Sequence, residues 1–220
     1  MPDPDHRRPR PLPATQVEAL AAAVHAQEPF ARIELAHATA AALVDAGRGE
    51  GGPATSRLVD LAETVGLDTL SELWRDAPAD SLPGALWALY LLRTWTERQG
   101  DALARMYRAG RAYAPVDEVV AGVADDAGPA AVRALADAVL TGAYQGDFDV
   151  ALERAASFFR VVATGRRELA GDATGGSGGS GGAEGSEGSE GSEGELAERN
   201  ERCAEALCRA AAAWRAGTLR

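Results

Sequence analysis

Apolar positions between residues 82 and 95 surround the whole helical wheel instead of forming a single stripe. A helix that is apolar on every side is typical of a buried position in the core. Ser81 is suited to cap the start of this helix, and Pro83 fits its first turn, where the backbone N–H has no helical partner. Polar side chains return at Glu97. The pattern therefore predicts a buried central helix around which the chain is organised.

Apolar side chains elsewhere recur three and four residues apart, which predicts amphipathic helices separated by glycine, proline and aspartate. Together with the central helix they predict about nine to ten helices, in residues 15–24, 29–47, 53–65, 68–74, 82–95, 101–110, 115–123, 129–142, 147–169 and 195–215. No segment between turn signals alternates strictly between apolar and polar residues, so no sheet is expected. The predicted fold class is all-α, a single multi-helix domain with an orthogonal or bundle-like arrangement.

Composition divides the chain into four parts. Residues 1–13 hold five prolines and three arginines and predict a disordered tail, and residues 14–170 are predicted to form the helical domain. Residues 171–194 repeat Gly, Ser and Glu, which predicts a flexible low-complexity linker. Residues 195–220 carry a last helix with one apolar stripe. Because the tether keeps its local concentration high, we expect this helix to dock on the helical domain, with another chain as the alternative partner.

The charge balance limits the classes of partner. The net charge is -11, and the chain contains no lysine. Nucleic acids and anionic membranes require clustered cations, so neither is expected as a partner. The absence of lysine excludes Schiff-base chemistry and a phosphate-loop lysine, and together with abundant Ala, Gly, Asp and Arg it is typical of a GC-rich bacterial genome. Cys203 and Cys208 cannot bridge each other on one helix, and no apolar leader is present, so we expect a cytoplasmic protein.

Glu34 and His37 are the strongest candidates for a chemical site. Their spacing places a carboxylate and an imidazole on neighbouring positions of one helix, as in di-iron helix bundles, which need the same pair on a second helix. No second pair occurs in the sequence, so the metal hypothesis reduces to one divalent ion bound by Glu18, His25, Glu34 and His37. The alternative is that His37 is a hydrogen-bonded core histidine with Glu34 beside it at the surface. No other cofactor is predicted, and no catalytic residue is assigned.

The central helix carries four further residues of interest. Arg93 lies among its apolar positions, and a buried guanidinium requires a carboxylate partner, so we expect a buried ion pair. Trp87, Tyr90 and Trp95 are predicted either to fill the core or to line a ligand pocket.

Residues 58–76 resemble a helix-turn-helix, with Ala62 and Gly66 placed as in that motif. The resemblance implies that the second helix binds DNA. That helix carries Asp68 and Glu72, which would face DNA phosphates with the wrong sign. Two ordinary packed helices are therefore the alternative interpretation.

The chain shows no complete catalytic constellation, and its surface is acidic and free of lysine. These features favour a non-catalytic protein-interaction or regulatory module, with a protein partner or a second copy of the chain as the binding partner. The alternative is a small metal- or ligand-dependent helical enzyme that uses Glu34 and His37. A second alternative is a DNA-binding regulator that acts through residues 58–76.

Overall fold

The computed structural model describes residues 29–48, 73–145, 147–175 and 186–220. The described residues contain six α-helices and no strand, which confirms the predicted all-α class. The helices are α1 (Pro29–Arg48), α2 (Leu82–Arg111), α3 (Pro115–Ala121), α4 (Pro129–Gln145), α5 (Phe148–Gly175) and α6 (Ser186–Arg215). The predicted tail of residues 1–13 and the predicted helices at 15–24 and 53–65 lie outside the described residues. Within the described ranges, no helix has the length and apolar character needed to cross a membrane.

Helix α2 unites two predicted helices across a kink. The Ser81 hydroxyl caps its start by accepting a hydrogen bond from the Gly84 N–H at 3.3 Å, and Pro83 lies in the first turn, as the sequence indicates. Gln99 leaves the helical region with φ -135° and ψ 33°. This break falls between the predicted segments 82–95 and 101–110, so the polar run after Trp95 marks a bend and not the end of the helix.

The first half of α2 is buried, but one side of it reaches the surface. Leu86 and Leu89 are fully buried and join the main core of the described residues. Leu91 on the same helix is 45% exposed, and Trp87 and Trp95 are only partly covered. The helix is therefore central to the packing without being enclosed on every side.

Helix α5 crosses the second half of α2 at very short range. Gly110 of α2 and Gly165 of α5 meet at the crossing, where no side chain separates the two backbones. Beside it, the rings of Tyr107 and Phe158 stack at 5.4 Å between centroids and 16° between planes. The small residues allow the approach, and the aromatic pair fills the space next to it.

Helix α6 packs along α5, and this is the most extensive helix–helix contact of the described structure. The Arg215 guanidinium binds Asp149 at 2.6 Å and Glu153 at 2.7 Å, and the Trp214 ring lies 4.8 Å from that of Phe148. Arg209 adds an ion pair with Asp80 at 3.1 Å. The last helix is thus held to the rest of the chain by both apolar and ionic contacts.

The ends of the predicted linker differ from the prediction. Helix α5 continues to Gly175 and α6 already begins at Ser186, so both ends of residues 171–194 are helical, while 176–185 lie outside the described residues. Glu193, which the sequence pattern assigns to the linker, pairs with Arg166 of α5 at 2.7 Å. This contact with α5 supplies a tertiary interaction that overrides the weak helix propensity of a glycine-rich repeat.

Candidate ligand pocket

The predicted metal ligands lie on or before helix α1. Glu34 is exposed, and His37 is partly buried with no hydrogen-bond partner for its Nδ1 atom among the described residues. Glu18 and His25 lie outside the described residues. Within the described ranges, no group of three or more His, Cys, Asp or Glu side chains is placed to hold a metal ion. Of the four predicted ligands, only Glu34 and His37 lie in the described part of the chain.

Residues 58–72 of the helix-turn-helix-like segment lie outside the described residues. Of residues 73–76, Leu73 and Trp74 are buried, whereas Arg75 and Asp76 are exposed. Trp74 is fully buried, and its indole N–H donates to the Thr39 hydroxyl of α1 at 3.2 Å. Tyr90 packs against the same indole, with 6.0 Å between ring centroids. These contacts place Trp74 and Tyr90 in the packed interior.

Arg93 forms a small ion-pair cluster. Its guanidinium lies 3.3 Å from Glu97 and 3.4 Å from Asp137, so the arginine bridges α2 to α4. The Arg93 side chain is 28% exposed, which makes the cluster half-buried instead of fully enclosed. Since water still reaches the pair, its contribution to stability is modest.

A pocket of about 580 Å³ opens between α2, α5 and α6. Its thirteen lining residues are Ala88, Leu91, Leu92, Thr94, Trp95, Arg98, Gln99, Phe159, Arg166, Leu196, Arg199, Asn200 and Cys203. The Trp95 and Phe159 rings stack against each other at 6.3 Å between centroids and 19° between planes. A mainly apolar concavity of this size, with a few polar groups in its wall, has the dimensions of a small-molecule site. Of the three aromatic residues selected from the sequence, Trp95 is the one that lines it.

The charge of the pocket wall is opposite to that of the whole protein. Three of the described lining residues are arginines and none of them is a carboxylate, in a chain whose net charge is -11. Arg98 and Arg199 make no ion pair with any other described residue. A concave surface lined by charge of one sign concentrates its potential inside the cleft. The wall is therefore a local positive site on an acidic protein.

Arg166 is the buried cation of this wall. The residue is 8% exposed, and its Nη1 atom donates to the Glu193 carboxylate at 2.7 Å. Its guanidinium carbon lies 5.4 Å from the centre of the Trp95 ring, within the range of a cation–π contact. The Nε atom of Arg166 is buried and has no hydrogen-bond partner in the described structure. One carboxylate thus satisfies only part of the guanidinium.

Asn200 presents a second unsatisfied donor in the same wall. Its Nδ2 atom is buried and also lacks a hydrogen-bond partner among the described residues. Across the described ranges, only His37, Arg166 and Asn200 have such an atom, and two of the three line this pocket. A buried donor without an acceptor costs about 1–3 kcal/mol. The pocket therefore concentrates unused hydrogen-bonding capacity at one place.

Cys203 gives the pocket a thiol that stays protonated. Burial raises the pKa of Cys203 to about 11, because desolvation disfavours the thiolate. The thiolate is the form of cysteine that acts as a nucleophile. At neutral pH the Cys203 side chain is thus a weakly polar thiol in the pocket wall, and it is not an activated nucleophile.

The sequence pattern alone does not identify Arg98, Arg166, Arg199 or Asn200 as site residues. Two of them, Arg166 and Asn200, nevertheless occupy unusual positions for polar side chains. Arg166 follows Phe159 and Val162 at spacings of three and four on the apolar seam of its helix, and Asn200 follows Leu196 on the stripe of the last helix. A polar residue on an apolar stripe is either paired in the core or turned into a cavity. Arg98 and Arg199 lie on exposed positions, where the sequence pattern carries no such information.

Comparisons of this chain with known protein families, with curated proteins and with solved structures find no match.

Proposed function

We propose that this protein is a non-catalytic regulatory module that binds a small molecule in the pocket between α2, α5 and α6. The observation that carries the proposal is Arg166, a buried guanidinium whose Nε has no acceptor among the described residues, in the wall of a mainly apolar pocket. The protonated Cys203 thiol supports a binding role over nucleophilic catalysis at this site. Binding without chemistry also agrees with the absence of a complete catalytic motif in the sequence.

An uncharged ligand tests the proposal, because its binding depends on the apolar cavity and not on ion pairs with the arginines of the wall. We expect the full chain to bind the neutral fluorophore N-phenyl-1-naphthylamine saturably at one site. Thr94→Phe places an aromatic ring in the pocket wall and should weaken this binding about 10-fold or more. Arg105→Phe adds the same ring at an exposed position of α2 outside the pocket and should leave binding unchanged. Non-saturable binding, or equal binding by wild type and Thr94→Phe, would contradict the proposal.

A second candidate function, protein interaction, is favoured by helix α3. This helix turns its acidic residues inward, because Asp117 pairs with Arg160 at 3.1 Å and Glu118 pairs with Arg111 at 3.0 Å. Its valines face outward instead. Tyr113, two residues before α3, joins the valines in one apolar surface, with exposures of 66% at Tyr113, 75% at Val116, 79% at Val119 and 41% at Val120. An inverted amphipathic helix of this kind marks a surface for binding another protein.

The interaction surface is tested by analytical ultracentrifugation of the full chain over a wide range of concentrations. We expect concentration-dependent self-association that the double substitution Val116→Ser and Val119→Ser removes. The matched control is Ala130→Ser with Ala134→Ser, two exposed positions in the first half of α4. A monomer at every concentration, with or without the valines, would exclude self-association through this surface.

A further inference from the structure

We infer that the ligand of the α2–α5–α6 pocket is an amphipathic anion, with an apolar body and one carboxylate or phosphate headgroup. The inference rests on the proposed function and specifies the chemical class of its ligand. It follows from the position of apolar and cationic groups in one pocket wall, from the hydrogen-bond donors left unsatisfied there, and from the lack of carboxylates among the described lining residues.

The apolar part of the wall fits the body of such a molecule. Trp95 and Phe159 form a stacked aromatic surface, and Leu92 and Leu196 contribute from α2 and α6. Transfer of apolar ligand surface from water to such a wall is favourable by about 25 cal/mol per Å². This gives affinity for an alkyl or aromatic body but does not discriminate between headgroups.

The hydrogen-bonding character of the wall selects the headgroup. Arg166 Nε and Asn200 Nδ2 are both donors, and both are buried without an acceptor in the described structure. Because both atoms are enclosed, each side chain must turn toward the pocket to meet a ligand. A ligand that supplies oxygen acceptors then satisfies them, whereas a ligand that brings only donors adds to the deficit. The Glu193 carboxylate accepts from Nη1 of Arg166, which leaves the Nε donor of the guanidinium without an acceptor among the described residues.

The charge of the wall selects an anion over a neutral acceptor. Arg98 and Arg199 line the pocket and are paired with no described carboxylate, and none of the described lining residues is acidic. Arginine binds carboxylate and phosphate through the same planar fork, so both headgroups belong to the class. A cationic ligand would meet the like charges of Arg98 and Arg199 in the wall, while Arg166 is already paired with Glu193.

The test compares four ligands that share a ten-carbon chain and differ only in the headgroup. Isothermal titration of the full chain with decanoate and with decyl phosphate is expected to show one site each. We expect both anions to bind about 10-fold more tightly than decan-1-ol, and decylammonium to bind more weakly than the alcohol. Binding by one of the two anions alone also supports the inference and identifies the headgroup.

Two exposed arginines provide the variant with the least risk to folding. Arg98→Gln with Arg199→Gln is expected to weaken anion binding about 5-fold and to leave decan-1-ol binding unchanged. The control is Arg105→Gln with Arg202→Gln, which makes the same change of net charge on exposed positions of α2 and α6 outside the pocket. Arg166→Gln should also reduce the preference for anions, provided that circular dichroism shows the native helix content. If it does not fold, the Arg98 and Arg199 variant decides the question.

The possible failures are distinguishable. Equal affinity for all four ligands, or anion binding that the Arg98 and Arg199 variant leaves unchanged, would overturn the anion inference while a ligand-binding module stands. Binding of none of the four ligands, together with no binding of the neutral fluorophore, would overturn both the inference and the proposed function.

Discussion

Gly110 and Gly165 meet backbone to backbone where α2 crosses α5. A Cβ atom on Gly165 would overlap the Met106 carbonyl and would lie 2.9 Å from the Gly110 nitrogen. A Cβ atom on Gly110 would in turn overlap the Val161 carbonyl. Both obstacles are backbone atoms of helices, which cannot move aside as a flexible side chain can. The crossing therefore requires glycine at both positions.

Gly165→Ala is expected to destabilise the protein by about 3 kcal/mol, because the added methyl group forces the two helices apart. Urea unfolding followed by circular dichroism measures this change. Gly171→Ala is the control on the same helix, since a Cβ atom there meets nothing within 4 Å. Alanine is the better helix former, so the control should be neutral or more stable by up to about 1 kcal/mol. Similar destabilisation by both substitutions would contradict the proposed close crossing.

Tyr107 should make the stability of the protein fall in alkaline solution. Burial, and secondarily the nearby Glu118 carboxylate, raise the pKa of Tyr107 from 10.0 to about 12. Between these values the unfolded chain has lost a proton that the folded protein still holds. The free energy of unfolding must therefore decrease as the pH rises from about 10 to 12.

The check is Tyr107→Phe, which keeps the ring stacked on Phe158 and removes the titrating hydroxyl. We expect a shallower loss of stability than in wild type over this alkaline range, measured by urea unfolding at a series of pH values. The substitution also removes a long hydrogen bond to the Glu118 carbonyl at 3.4 Å, so a small loss at neutral pH is expected. Identical pH profiles in the two proteins would rule out Tyr107 as the source.

Glu201 should contribute to stability at neutral pH and lose that contribution in acid. Its hydrogen bond from Arg167, at 2.6 Å, lowers the pKa of Glu201 below 4.5. A lowered carboxyl pKa gives stability that is present above the unfolded value and is lost as the pH falls through the folded value. Both side chains are more than two-fifths exposed, so the effect is small and is weakened by salt.

Glu201→Gln measures this contribution. We expect the variant to be slightly less stable than wild type at pH 7 and low ionic strength, and the difference to vanish well below pH 4.5. Thermal unfolding at several pH values is suitable. Glu205→Gln, on an exposed position of the same helix, is the control. A difference that persists in acid would mean that the glutamine disturbs the structure in some other way.

Cys203 should resist alkylation as long as the protein is folded. A pKa of about 11 instead of 9.0 reduces the thiolate fraction at pH 8 about 100-fold, and steric cover in the pocket slows the reaction further. Iodoacetamide labelling followed by peptide mass spectrometry measures the rate at Cys203. The same reaction in urea gives the rate of the unfolded thiol. Comparable rates in the two conditions would show that the pocket does not bury this sulfur.

The sequence pattern predicts the helices better than it predicts the pocket, for a physical reason. Helix formation depends on residues three and four apart, so the capped start of α2 at Ser81 follows from local sequence. The pocket joins α2, α5 and α6, whose lining residues Trp95, Arg166 and Asn200 lie far apart in the chain. Their meeting depends on how the helices cross, and the glycine pair that sets the crossing of α2 and α5 has no distinctive local pattern.

Charged residues show the same limit. The apolar wheel position of Arg93 predicts a buried ion pair, yet its side chain is 28% exposed between Glu97 and Asp137. Arg166 is the more deeply buried arginine. Wheel position alone cannot rank the two, since burial depends on which neighbouring helix covers each face.

The bend at Gln99 lies in the pocket wall, where the Trp95 indole N–H donates to the Gln99 side-chain oxygen at 3.1 Å. Beyond the bend, α2 continues to Arg111, two residues before Tyr113 and the outward valines of α3. An interrupted helix can alter its angle without melting either segment, as hinges do. A ligand that prefers one angle at this bend would move the second half of α2 and, with it, the exposed valines of α3. Binding in the pocket and the position of the valine surface would then be coupled.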